Sequence, residues 1–108
     1  MYLKHGIDLV NFHRIEFKDE NLSKKILTKL ELYEFSCLTT KDQKCFYLAN
    51  RWAIKEAILK CLDEMMPLPQ IEIKKRDGRY YWEHNEYKSS ISTSNEDQYI
   101  IASCIVYK

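Results

Sequence analysis

The stretch FYLANRWAIKEAILK, residues 46–60, constrains the fold more than any other. At about 100° per residue, Trp52, Ala53, Ile54, Ala57, Ile58 and Leu59 spread almost all round a helix. Arg51 and Lys55 form one polar sector, and Glu56 and Lys60 form a second, well away from the first. An ordinary surface helix has a single wet face, so one of these sectors points somewhere other than bulk water. Ala49 and Ala53 lie beside Glu56 and Lys60, and such small neighbours leave a hollow. Taken alone, Glu56 and Lys60 are also an i,i+4 surface pair worth about 0.3–0.5 kcal/mol. The choice depends on whether another segment brings a partner to the hollow.

The chain has 108 residues, 45% of them apolar, enough for one domain over residues 1–108 that buries roughly 60–70% of its unfolded surface. YLKHGIDLV (2–10) reads as a strand with Leu3, His5, Ile7 and Leu9 on one face and Lys4, Gly6, Asp8 and Val10 on the other. Asp8 is its odd member, since aspartate is disfavoured in strands. Residues 21–37 are helical in two pieces, because Thr28 and Glu31 have the spacing of a capping box. A polar connector, LTTKDQ (38–43), precedes a long helix from Lys44 to Glu64 that Pro67 stops. QIEIKK and RYYWEH flank Asp77 and Gly78 as a hairpin. KSSIST, a loop SNEDQ (94–98) and YIIASCIVY supply two further strands, the last apolar on both faces, as suits a strand covered on both sides or packed on another chain. The fold class is therefore α+β, with a long central helix packed on a small, mainly antiparallel sheet.

Several chemistries are disfavoured. Two glycines are too few for a P-loop or a dinucleotide fingerprint. The four cysteines show no CxxC spacing and read as reduced, mostly buried thiols. SSISTS lacks the elbow of a serine hydrolase. YIIASCIV is too short to cross a bilayer and the amino terminus lacks a signal sequence, so the expectation is a cytoplasmic protein without a membrane partner. A net charge of +1 recruits no nucleic acid, and in RYYWEHNEYK, where aromatics and bases interleave as in a single-strand binder, Glu83 and Glu86 interrupt the patch.

The carboxylates offer more. If Asp8 and Glu56 converge in the hollow about 5 Å apart, they repel by about 3 kcal/mol at an effective dielectric near 20. Either one takes up a proton or a cation sits between them. Oxygen donors suit magnesium, completed by waters and substrate phosphates, and Lys60 would face the same phosphates. The competing reading of Asp8 is a strand-end residue satisfied by local amides.

GIDLVNFHRIE, ILTKLEL, FYLANRWAIKEAILK and SISTSNEDQYIIASCIV resemble, in that order, the motifs of the holo-acyl-carrier-protein synthase family, the short bacterial 4'-phosphopantetheinyl transferases. The resemblance implies that Asp8 and Glu56 bind magnesium, which holds the diphosphate of coenzyme A. The serine of apo acyl carrier protein then attacks the β-phosphate, and 3',5'-ADP leaves. It makes Asp8, Glu56 and Lys60 the catalytic group, with Glu56 taking the serine proton directly or through a water. Arg51 would meet the 3'-phosphate, with Lys44, Ser92, Thr93 and Ser94 also on the coenzyme. Arg14 and Lys25 would engage the acidic carrier protein, and active sites would lie between subunits of a homotrimer.

Three departures stand out. Thr93 occupies the place of a family histidine, CLDEMMP replaces a Gly-Thr-Gly, and Asn50 replaces a glycine. They make a non-catalytic relative that binds carrier protein or nucleotide the alternative.

Overall fold

The computed structural model describes the backbone of residues 1–108 and every side chain but that of Ile15. The helix anticipated over 46–60 is the larger part of α3 (Lys41–Leu59). It lies across a three-stranded antiparallel sheet of β1 (Leu3–Asn11), β5 (Tyr99–Tyr107) and β4 (Lys88–Glu96), in the order β1-β5-β4. Val10, Ile100, Ala102, Cys104 and Val106 point inward and meet Leu48, Ala49, Ala53, Ala57 and Ile58 in the core. A separate hairpin, β2 (Ile73–Arg76) and β3 (Arg79–Trp82), packs against β4. α1 (Ser23–Ile26) and α2 (Lys29–Ser36) complete the helical side.

Local chemistry sets these boundaries. Thr28 caps α2 through the expected box, its hydroxyl accepting from the Glu31 N–H and its own N–H donating to Glu31. A second box of the same kind, Thr40 with Gln43, starts α3 at Lys41 rather than Lys44. The helix also ends sooner than expected, at Leu59 rather than Glu64. Cys61 donates to Ile58 O at 2.8 Å and its own carbonyl is taken by the Tyr2 hydroxyl, which turns the chain away. Asp77 and Gly78 adopt φ of 51° and 77°, the positive values a tight two-residue hairpin turn requires.

The loop expected over 94–98 shrinks to a tight turn at Asp97 and Gln98. Ser94, Asn95 and Glu96 continue β4 opposite Ile101, Ile100 and Tyr99. Pairing to a central strand overrides their low strand propensity.

The sheet's outer face carries Leu3, Ile7, Leu9, Ile101, Ile105 and Tyr107, each between 36% and 62% exposed. The two-sided apolar pattern of the last strand therefore reflects one side under α3 and one side open. All four cysteines are free thiols; Cys45, Cys61 and Cys104 are buried and Cys37 is exposed. In RYYWEHNEYK, Trp82 and Tyr87 stack on each other at 6.1 Å, and both are buried. Those rings are committed to packing.

Candidate active site

Gly6 determines how closely α3 approaches β1. A Cβ at that position would lie 2.0 Å from the carbonyl oxygen of Ala57, so only glycine lets helix backbone rest on strand backbone. Asp8 follows two residues along the same face of β1, and Glu56 precedes Ala57. The contact that glycine permits is thus the one that brings the acidic residues of strand and helix together.

Lys60 seals this corner. Its ammonium donates to Ile7 O at 2.6 Å and to Asp8 Oδ1 at 3.3 Å, across 52 positions of sequence, while its side chain stays 53% exposed. Two of its three protons are thereby placed and one stays available. The other Asp8 oxygen, Oδ2, is buried without a hydrogen-bond partner. Burial pushes the Glu56 carboxyl above its usual range, the Asp8 charge pushes it further, and Lys60 pulls it back. An orphaned carboxylate oxygen next to a second carboxylate that resists ionisation is a donor set short of positive charge, which suits a hard cation. Among the described residues no group of three or more His, Cys, Asp or Glu side chains gathers at one point.

The Arg51–Lys55 sector is the one that points away from water. Lys55 is fully buried and donates to Ile26 O at 2.7 Å, Glu31 Oε1 at 2.5 Å and Leu68 O at 3.1 Å. Glu31, also fully buried, accepts in addition from the N–H groups of Thr28 and Ile73, both at 2.9 Å. Arg51 places Nε 4.0 Å from Glu31 Oε2, donates to Asn50 Oδ1 at 2.6 Å, and has Tyr47 and Tyr80 rings 4.3 and 5.2 Å from its guanidinium carbon. Asn50, a departure from the family glycine, thus has a hydrogen-bonding role. Tyr47, Tyr80 and the long-range partners of Glu31 and Lys55 escape a one-dimensional reading; only the second polar sector hinted at them.

The remaining candidates stand in separate places. Arg51 and Tyr80 line a hollow of about 820 Å³ with Tyr47, Phe46 and Lys75. Lys44 lines another of about 450 Å³ with Phe17 and Phe35, and pairs with Glu20 at 3.1 Å. Ser92 and Thr93 line a third of about 300 Å³ with Arg79 and Tyr80. Ser94, exposed, lies opposite Ile101 on the outer face. Thr93 shares a cross-strand row with Ala102 and Asp8, two strand spacings or about 10 Å from Asp8. Arg14 and Lys25 are exposed on the helical side; Arg14 pairs with Glu16 at 3.6 Å and lies over the Phe17 ring.

The structure therefore brings Asp8, Glu56 and Lys60 together and leaves the expected coenzyme ligands elsewhere. Arg51 and Glu56, five residues apart, leave α3 in directions about 140° apart.

Fold and site together describe a class: small α+β proteins whose long buried helix sets a glutamate and a lysine against an aspartate of the first strand. The chain belongs to the 4'-phosphopantetheinyl transferase superfamily, whose sequence pattern matches residues 4–104. It is 36% identical over 97 residues to the holo-[acyl-carrier-protein] synthase of Mycoplasmopsis pulmonis, covering 90% of this chain and 83% of that protein. It is 39% identical over 97 residues to that of Mycoplasma mobile, covering 90% and 82%. The solved holo-ACP-synthase of Plasmodium yoelii has a TM-score of 0.82 and 27% identity, over 94% of this chain and 91% of that one. The Bacillus anthracis holo-(acyl-carrier-protein) synthase, in complex with CoA (3',5'-ADP), shares the fold at a TM-score of 0.83 and 24% identity, over 94% and 93%.

Proposed function

We infer that the protein transfers the 4'-phosphopantetheine arm of coenzyme A to the serine hydroxyl of apo acyl carrier protein and releases 3',5'-ADP, with residues 1–108 acting as one transferase domain. The observation that carries this reading is the meeting of Asp8, Glu56 and Lys60 at the Gly6 crossing, in a chain of this superfamily. Asp8 and Glu56 would hold magnesium, with water and phosphate oxygens as its other ligands. When bound, it neutralises charge on the coenzyme's diphosphate.

The chain's own side chains account for the rest. Lys60 turns its remaining proton toward the transferred phosphoryl group and offsets charge there. Glu56, made more basic by its surroundings, accepts the serine proton, directly or through a water. The serine oxygen forms its bond to the β-phosphorus as the bond to 3',5'-ADP breaks, and the leaving group keeps the electron pair. Arg14 and Lys25 meet the acidic carrier protein, where exposure suits them to steering more than to tight binding.

Incubation with apo acyl carrier protein, coenzyme A and magnesium should add the mass of one arm per carrier, by intact-mass spectrometry. Glu56→Gln should lose that transfer together with the magnesium-dependent rise in melting temperature, a gain of about 2.7 kcal/mol for the parent at 100 times Kd. Carrier protein bound without mass gain would favour the non-catalytic alternative.

A homotrimer with active sites between subunits belongs to the same reading. The observation that supports it is the open apolar face of the sheet, where Leu3, Ile7, Leu9, Ile101, Ile105 and Tyr107 are uncovered. Ile105→Glu should give a folded monomer by sedimentation and circular dichroism, without transfer, although it leaves Asp8, Glu56 and Lys60 intact. A fully active monomer would remove the shared site. No helix is long and apolar enough to cross a membrane, and cytoplasmic placement is part of this proposal.

A further inference from the structure

Lys60 is the C-cap of α3. A lysine has a flexible four-carbon stem, so its ammonium is only as well placed as the backbone that carries it. The end of a helix is where that backbone frays most readily. Beyond it the segment CLDEMMP stands in place of the family's Gly-Thr-Gly, and its Asp63, Glu64 and Met65 are exposed, so they give Lys60 no support. The ammonium nonetheless reaches Ile7 O and Asp8 Oδ1. Another group holds the end of the helix.

That group is Tyr2. Its hydroxyl donates to the carbonyl of Cys61, the residue after Lys60. The donor is itself well seated. Its ring lies 5.6 Å from that of Tyr87, which is buried. The Lys108 N–H donates to Tyr2 O at 3.2 Å, and the Lys108 ammonium sits 5.4 Å from the ring centre.

Tyr2 immediately precedes β1, so one stretch of chain meets the end of α3 three times: Tyr2 at Cys61 O, Gly6 at Ala57 O, and Ile7 with Asp8 at the Lys60 ammonium. The first two contacts hold the helix backbone on either side of Lys60, and the third is then aimed by them. Tyr2 also lies outside residues 4–104, the part that the superfamily pattern matches, so the pin is a feature of this chain rather than of that pattern.

We propose that Tyr2 is a positioning residue for the transfer reaction: its hydroxyl pins the carbonyl of Cys61 and so keeps Lys60 within reach of Asp8 and of the phosphoryl group. This rests on the transferase reading above, in which Lys60 offsets charge on the transferred group. Tyr2 acts through the lysine and not on the substrate.

Tyr2→Phe keeps the ring on Tyr87 and removes only the hydroxyl. Its kcat should fall about tenfold, a part of the loss of about a hundredfold or more expected when Lys60→Gln removes the donor outright, while KM for coenzyme A stays within about twofold of the parent. In the Lys60→Gln background Tyr2→Phe should cost nothing further, because nothing is left to aim. Hydrogen exchange reads the pin without any activity. The amides of Cys61 and Leu62, which donate to Ile58 O and Leu59 O, should exchange about tenfold faster in Tyr2→Phe, the weight of one neutral hydrogen bond, with the amides of Ala53 and Ile54 unchanged. Parental kcat, an equal loss in the Lys60→Gln background, unchanged exchange at Cys61 and Leu62, or a uniform rise along α3 each overturns the assignment while the transferase reading stands. A parent protein that transfers no arm overturns that reading itself, and this assignment with it.

Discussion

Gly6→Ala lowers the stability of the protein by about 3 kcal/mol, the upper end of what overpacking costs, and lowers transfer by about a hundredfold or more. The new methyl carbon would start 2.0 Å from the Ala57 carbonyl oxygen and 3.1 Å from the Cys61 sulfur. The sulfur can rotate away, but the carbonyl is helix backbone and cannot. To restore even a 3.0 Å contact, α3 must retreat from β1 by about 1 Å, and Glu56 and Lys60 retreat with it. Lys60 then loses its 2.6 Å bond to Ile7 O, and Glu56 draws away from the Asp8 carboxylate whose charge now acts on it. Urea unfolding reads the first effect and intact-mass spectrometry the second. A variant with parental stability would show that helix and strand are not wedged at this point. Ala57→Gly offers no rescue, because the obstacle is its carbonyl and not its side chain.

That crossing explains why much of the site was legible in the sequence and why some was not. Asp8 and Glu56 could be singled out because each breaks a local rule: an aspartate inside a strand, and a glutamate on a helix that is apolar nearly all round. In the sequence Gly6 is only one member of a strand face; its role depends on a distance between two backbones that no single segment contains. The capping box at Thr28 and Glu31 was readable, since three residues define it. The box at Thr40 and Gln43 carries the same signal, but TTKDQ is polar throughout and so reads as a connector. The extension of β4 through Glu96 was hidden for a different reason: its polar residues are held by ladder bonds to an apolar strand, and pairing is a property of both. The burial of Arg51 and Lys55 was half visible, since two polar sectors announced that one must turn inward. What settles which one is Glu31, whose partners lie 24 and 42 positions away.

Lys55→Met destabilises the protein by about 3–5 kcal/mol, because it strands the Glu31 carboxylate in a site with no water. Glu31 has 0% exposure and keeps only the N–H groups of Thr28 and Ile73 and the more distant Arg51. Those donors were arranged to share the charge with an ammonium, not to carry it alone. Glu31→Gln should cost less, and its cost should depend on pH in a definite direction. Burial lowers the Lys55 pKa, and Glu31 is the largest influence raising it again. Without Glu31 the folded state gives up the Lys55 proton at a lower pH than the unfolded chain does. The unfolded state then binds more protons, so stability rises with pH. Urea midpoints at pH 7 and pH 9 should therefore converge toward the parent for Glu31→Gln and stay far below it for Lys55→Met, where no lysine is left to titrate. Equal pH responses in the two variants would mean that Lys55 keeps its proton without its partner. The buried ion pair would then be held by the carbonyls of Ile26 and Leu68 rather than by the carboxylate.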